Sequence, residues 1–185
     1  FAEKTIVNSG TNDSMEDKVR QFLNGHSADA IIKEENFRGD QQFTVKAEAV
    51  YGLCEALFQD QQLDVRLLAD ITCIDWLGHD EAEAGRFELV YNLYSLSHKY
   101  RFFLKVRLPE IEPTIKSLVP LRPAADWLER EVWDLFGITF EGHPNLTKIL
   151  TADELEGHPL RKDFPLTYEV PVFSWNKDNP PEVIK

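Results

Sequence analysis

Phe87, Leu89, Tyr91 and Leu93 alternate with more polar neighbours; after a polar turn at 95–99, Phe102, Leu104, Val106 and Leu108 alternate with Arg101, Lys105 and Arg107. A period of two sends successive side chains to opposite faces, so the segments predict two neighbouring strands with one dry face. A short polar connection joins antiparallel strands more simply than parallel ones, which require a long crossover. The apolar, β-branched run 67–76 predicts a further strand before them. Residues 30–35 and 42–45, separated by Arg38-Gly39-Asp40, predict a pair of short strands.

Helical spacing appears at three places. Ser14 with Asp17 forms an N-cap pair ahead of Val19, Phe22 and Leu23, and Asn24-Gly25 is the expected stop. Val50, Leu53, Cys54, Leu57 and Phe58 recur as an amphipathic stripe. Pro123 can open a third helix, with Ala124, Leu128, Val132 and Leu135 as its expected apolar face, and Gly137 is placed to end it. Strands in succession with helices packed on one side define an α+β fold around an antiparallel sheet.

The expected domain spans residues 14–150, with a flexible segment at 1–13 and an extended C-terminal segment at 151–185. That last segment carries Pro165, Pro171, Pro180 and Pro181 among Phe164, Tyr168, Val172, Phe173 and Trp175. Proline prevents a compact element there, so the aromatic residues must lie either on the chain's own domain or on a partner; the partner is the expected place. The start at Phe1 has neither an initiator Met nor the apolar stretch of a signal peptide, which predicts a processed N-terminus.

Composition narrows the chemistry. A net charge of -12, from 32 acidic against 20 basic side chains in 185 residues, repels nucleic acid and anionic lipid; it serves solubility first and also suits docking onto basic proteins. Cys54 and Cys73 are too few to hold an iron-sulfur cluster and point to a reducing compartment. Cys54 falls inside an apolar stripe, where packing outweighs reactivity. No apolar run reaches the roughly 20 residues of a membrane span. The glycine-rich nucleotide motifs, the nucleophile elbow and the zincin motif are all missing.

His143 and His158, with Asp153, Glu154 or Asp163, are the only candidates for a metal site or a stand-alone hydrolase. Each histidine precedes a proline, which excludes paired ligands one helical turn apart. The densest polar cluster is Glu129-Arg130-Glu131 with Asp134. Arg130 and Asp134 stand at i, i+4, so a local ion pair is expected. Carboxylates between a helix and an ordered loop are well placed to accept backbone N–H groups, with charge-assisted bonds from Arg161 and Lys162. An architectural clamp therefore outweighs catalysis.

The residues Asp126-Trp127-Leu128-Glu129-Arg130-Glu131-Val132-Trp133-Asp134-Leu135-Phe136-Gly137-Ile138, then Phe140-Glu141-Gly142-His143-Pro144, then Gly157-His158-Pro159-Leu160-Arg161-Lys162-Asp163-Phe164-Pro165-Leu166 closely resemble the C-subunit family of respiratory complex I, the NADH-quinone oxidoreductase. Thr147 departs from the family pattern by replacing a basic residue, with Lys148 beside it, so a basic contact is expected to be shifted or absent. The resemblance implies a hydrophilic-arm subunit with no catalytic, cofactor or metal residue of its own. FMN, iron-sulfur clusters and quinone would sit on companion subunits. It implies a D-type subunit as partner near the quinone-reducing end and a peripheral place on the cytoplasmic side of a bacterial inner membrane, or the matrix side in a mitochondrion.

On the same basis Glu129, Arg130, Glu131, Asp134, Gly137, His143, Pro144, Gly157, His158, Pro159, Arg161, Lys162, Asp163 and Pro165 are the signature and interface residues. The rival within the same architecture is the equivalent subunit of a membrane-bound hydrogenase or a deazaflavin-linked dehydrogenase.

Overall fold

A computed structural model describes residues 14–166. Its main sheet has five strands: β1 (Ile31–Phe37), β2 (Asp40–Val45), β3 (Val65–Asp75), β4 (Phe87–Ser95) and β5 (Tyr100–Leu108). Their spatial order is β1-β2-β5-β4-β3, and every neighbouring pair is antiparallel except β2 with β5. That parallel contact departs from the uniformly antiparallel expectation. The chain leaves β2 through α2 (Val50–Gln59), β3 and β4 before β5 returns beside it, and this long connection permits a parallel pairing.

The alternation in β4 and β5 sets the core. Phe87, Leu89, Tyr91 and Leu93 pair with Leu108, Val106, Leu104 and Phe102, and all eight are buried. Against this face lie Val19 and Leu23 from α1 (Met15–Ser27) and Val50, Leu53, Cys54 and Leu57 from α2. Each fully buried large aliphatic or aromatic side chain contributes about 1.5–3 kcal/mol. Burial pushes the thiols of Cys54 and Cys73 up to about 12, which suppresses thiolate chemistry at both.

The opposite sheet face carries ion pairs. Glu88 pairs across the strands with Arg107 at 2.7 Å, meets Lys105 at 3.3 Å, and accepts the Trp76 indole N–H at 3.0 Å.

Two local expectations need correction. Helix α1 does not stop at Asn24-Gly25 but runs to Ser27. His26 stacks on Phe22 with ring centroids 4.1 Å apart and its Nδ1 lies 3.1 Å from the Phe22 carbonyl, which extends the last turn past a glycine whose helical cost is only about 1 kcal/mol. The β1–β2 loop closes tightly on Arg38 and Gly39, both at positive φ, the backbone that a two-residue hairpin loop requires. A second, two-stranded parallel sheet joins β6 (Thr114–Lys116) to β7 (Thr139–Glu141) and brackets α3 (Ala125–Phe136). Three-residue strands leave too little alternation to be read from sequence.

Candidate functional site

The buried side of α3 is Ala125, Glu129, Val132 and Phe136. Of the expected stripe Ala124, Leu128, Val132 and Leu135, Val132 is buried, Leu128 and Leu135 are half-buried against the core and Ala124 is exposed, and the burial of Glu129 places a carboxyl group in the core. Glu129 is fully buried, accepting the Leu118 N–H and the Ser117 hydroxyl at 2.6 Å each. Those two donors stand just after β6, so Glu129 ties α3 to the small sheet. Burial pushes its carboxyl up to about 7 despite the two hydrogen bonds.

Because the folded-state value exceeds the ordinary 4.5, the fold binds the proton more tightly than the unfolded chain does. Stability from this group is therefore complete below about pH 4.5 and falls as pH rises toward 7, by roughly 3 kcal/mol in all. Glu129→Gln keeps an acceptor for Leu118 and gains a donor for Ser117. It is expected to remove this decline, so that the variant gains on the wild type by about 2–3 kcal/mol between pH 5 and pH 8 in urea denaturation. Parallel pH profiles for the two proteins would contradict the assignment.

On the other side of α3, the Asp134 carboxylate accepts the backbone N–H groups of Ile149, Leu150 and Thr151 at 3.0, 2.8 and 2.9 Å, and the Thr151 hydroxyl at 2.5 Å. Burial alone would raise its pKa. The four donors outweigh burial and hold it at about 2. The expected Arg130–Asp134 ion pair is absent among the described residues. Arg130 instead donates to the carbonyls of Thr147 and Lys148 at 3.1 Å each and stacks 5.1 Å from the Trp127 ring. Arg130 and Asp134 thus grip the same loop, one through its carbonyls and the other through its N–H groups. Thr147 supplies a carbonyl to Arg130, while the ammonium of Lys148 meets the carbonyls of Ala152 and Leu155 at 3.0 and 2.5 Å.

The C-terminus of α3 is closed by the second Gly-His-Pro segment. Gly137 adopts φ +74, and a β-carbon there would lie 2.4 Å from His158 and 2.6 Å from Arg161. Its hydrogen atom lets both side chains reach the last turn. His158 Nδ1 donates to the Asp134 carbonyl at 2.9 Å, the Leu160 N–H to Leu135 at 3.1 Å, and Arg161 Nε to Phe136 at 2.6 Å. Three carbonyls that the helix leaves without partners are satisfied, and Arg161 places a cation at the negative end of the helix dipole. His143 is held in a similar way. Its Nε2 lies 3.2 Å from the Asp126 carbonyl and 3.3 Å from the Asp126 carboxylate, and its Nδ1 accepts the Asn145 N–H at 3.0 Å.

Arg86 organises the remaining contacts. Buried beside Phe87, it bonds Asp75 at 3.0 and 2.9 Å, Asp163 at 3.0 and 2.7 Å, and Glu110 at 2.9 Å. These carboxylates raise its pKa further. Asp75 also accepts the N–H groups of Lys162 and Leu77 at 2.9 Å each, and Arg86 and its backbone donors hold it at about 2 against burial, which acts in the opposite direction. The Phe87 ring has Arg86 at 4.9 Å and Arg161 at 5.1 Å. Sequence reasoning missed Arg86 and Asp75; the available signal was a carboxylate at the end of β3 in phase with the inward-facing Ile71 and Cys73.

These contacts revise the expected C-terminal extension. Its described part, residues 151–166, is tied to the chain's own domain through His158, Arg161, Lys162 and Asp163, and residues 167–185 lie outside the described part. Glu131, Pro144 and Pro165 are exposed, and Gly157 turns the chain at φ +90 beside Phe164. Among the described residues, no group of three or more His, Cys, Asp or Glu side chains is placed to hold a metal ion. No helix there is long and apolar enough to cross a membrane. An open groove of about 530 Å³, lined by Leu67, Asn92, Tyr94 and Arg101 among others, contains none of the signature residues.

Residues 43–170 match the family model described as respiratory-chain NADH dehydrogenase, 30 Kd subunit. The C subunit of NADH-quinone oxidoreductase from Roseiflexus sp. (strain RS-1) is 41% identical over 160 residues, which cover 86% of this chain and 90% of that one. The protein of the same name from Geobacter sulfurreducens is 42% identical over 139 residues, covering 75% and 83%. Among solved structures, a trypsin-resistant fragment of Nqo5 superposes with a TM-score of 0.59 at 32% identity, covering 70% of this chain and 99% of the fragment. A chain of a membrane-bound sulfane sulfur reductase, an archaeal respiratory membrane complex, superposes with a TM-score of 0.68 at 27% identity, covering 82% and 86%. From these matches, the chain belongs to the respiratory-chain NADH dehydrogenase 30 kDa subunit family.

Proposed function

We propose that this chain is a cofactor-free structural subunit in the hydrophilic arm of a proton-pumping NADH:quinone oxidoreductase, where it positions the quinone-side subunits. The observation that carries this reading is the use made of the signature side chains. Asp134, Arg130, His158 and Arg161 are all engaged in holding the 147–161 segment against α3. A carboxylate bound by four donors and kept at about 2 is a poor proton acceptor at neutral pH, but it is a firm anchor for a loop.

Such a protein acts by presenting a rigid surface to its neighbours. The principal partner is the D-type subunit of the same complex, and FMN, iron-sulfur clusters and quinone belong to companions. Its place is peripheral, on the cytoplasmic side of a bacterial inner membrane or the matrix side in a mitochondrion. The second reading, an equivalent subunit of a related membrane-bound hydrogenase or deazaflavin-linked assembly, is favoured by the likeness to the sulfane sulfur reductase chain.

A native pull-down of the tagged chain, with identification of its companions, separates the two. A flavoprotein NADH module supports the first reading, and a nickel-iron chain supports the second. Flavin, metal or redox turnover in the purified chain alone would defeat both. Truncation after Leu166 removes residues 167–185 with their aromatic side chains. It is expected to lower incorporation into the complex while leaving the thermal midpoint of the chain within a few degrees of the wild type. Undiminished incorporation would remove any role for these residues in assembly.

A further inference from the structure

We infer that the solvent side of α3, with the two loops anchored to it, is a docking face for a companion subunit whose contact surface is apolar at the centre and basic at the edge. The inference rests on the assembly role proposed above and names the surface that performs it. Trp127 is 61% exposed, Leu150 62% and Leu160 52%. Single exposed leucines are ordinary, but an exposed tryptophan on a helix that also holds two exposed leucines on its anchored loops offers apolar groups for a partner to cover.

The clamp fastens the backbone at each of the three to the same helix, α3. Trp127 stacks with Arg130, which holds the carbonyls of the loop leading to Leu150, and Asp134 binds the Leu150 N–H itself. The Leu160 N–H is bonded to Leu135 at the end of the same helix. Each apolar side chain is therefore mounted on backbone that is already hydrogen-bonded. Little conformational entropy is left to lose on binding, the condition that favours a preformed contact surface.

Charge identifies the occupant. Glu131 follows Trp127 by one helical turn and is exposed, as are Asp153 and Glu154 in the turn that Lys148 secures. The cations beside these residues in the chain, Arg130 and Lys148, and Arg161 and Lys162 after Leu160, are bonded to backbone carbonyls. An acidic edge around an apolar centre on a chain of net charge -12 favours a basic partner and disfavours a second copy of the same acidic surface. It also disfavours the chain's own residues 167–185, where Glu169, Asp178 and Glu182 outnumber Lys177 and Lys185.

The test uses the assembled complex. A benzophenone side chain is placed in turn at Trp127, Leu150 and Leu160, with Ile32 and Phe37, similarly exposed on edge strand β1, as control positions. Crosslinks from all three test positions to one companion chain, at residues beside lysines or arginines, are the expected result. In parallel, Trp127→Ala combined with Glu131→Lys and Asp153→Lys should lower incorporation by at least about tenfold, the loss that truncating a buried aromatic anchor commonly brings. The thermal midpoint of the full chain should stay unchanged.

Crosslinks from the test positions to residues 167–185, to a second copy, or to no protein, in a complex that still co-purifies with its companions, would overturn the docking face and leave the assembly role standing. Failure of the unmodified chain to co-purify with any companion would overturn both.

Discussion

Arg86→Met is expected to destabilise the chain by about 3–5 kcal/mol, the range for breaking a buried ion pair from one side. Methionine fills much of the space but leaves Asp75, whose side chain is only 2% exposed, with a charge supported by the N–H groups of Leu77 and Lys162 alone. The second effect is on the segment that carries Asp163. Without the guanidinium, Asp163 and Glu110 lose their common partner, and residues 157–166 should become cleavable under limited proteolysis while the sheet stays protected.

The pH dependence distinguishes a lost ion pair from a packing defect. Asp75 is held below its ordinary 3.8, so its contribution is present above that pH and disappears as pH falls toward 2. The wild type should show this acid limb in urea denaturation, and the variant should show much less of it. Adding Asp75→Asn to Arg86→Met should recover part of the loss by removing the stranded charge. A loss below about 1 kcal/mol, with an unchanged acid limb, would show that the Arg86 cluster behaves like an exposed pair.

The second large effect is expected at Asp134. Asp134→Ala removes the acceptor of three backbone N–H groups and one hydroxyl in a single step. A stranded buried donor costs about 1–3 kcal/mol, and partial hydration of the loop offsets some of that, so a net loss of about 3 kcal/mol is expected. Hydrogen exchange locates the effect: the amides of Ile149, Leu150 and Thr151 should lose protection, and those of β4 and β5 should retain theirs relative to the global unfolding limit. Full protection at 149–151 in the variant would mean that the loop is held by Arg130 and its own packing, and that the carboxylate is dispensable. Because the same loop carries Leu150, the variant should also assemble poorly, which links the clamp to the proposed docking face.

The two variants act through different links of the same chain of cause. Arg86 joins the end of β3 to the C-terminal segment, and Asp134 joins α3 to the later loop at 149–151. Glu129 anchors the opposite side of α3 to the small sheet. Helix α3 is thus fastened at Glu129, at Asp134 and, through His158 and Arg161, at its C-terminal end, so that its remaining surface is held still.

What the amino-acid sequence determined by itself is what neighbouring residues can encode. Alternation over Phe87 to Leu93 and Phe102 to Leu108 specified two strands and their dry face, since a one-residue slip would send one apolar set to the other side. The i, i+3, i+4 spacing from Val50 to Leu57 specified α2, and Gly137 marked the end of α3 because it alone takes the left-handed backbone there without strain.

Only the tertiary structure decided which polar groups are buried and what satisfies them. The burial of Glu129 on the inner side of α3 was missed because a glutamate reads as a surface residue. Its donors, Ser117 and Leu118, lie in a segment that the sequence does not mark. Arg86 finds partners 11, 24 and 77 residues away, and the parallel contact of β2 with β5 depends on everything folded between them. Periodicity is a property of adjacent positions. Compensation of a buried charge belongs to chain segments that meet only after folding, and burial without that compensation would cost more than a small domain can supply.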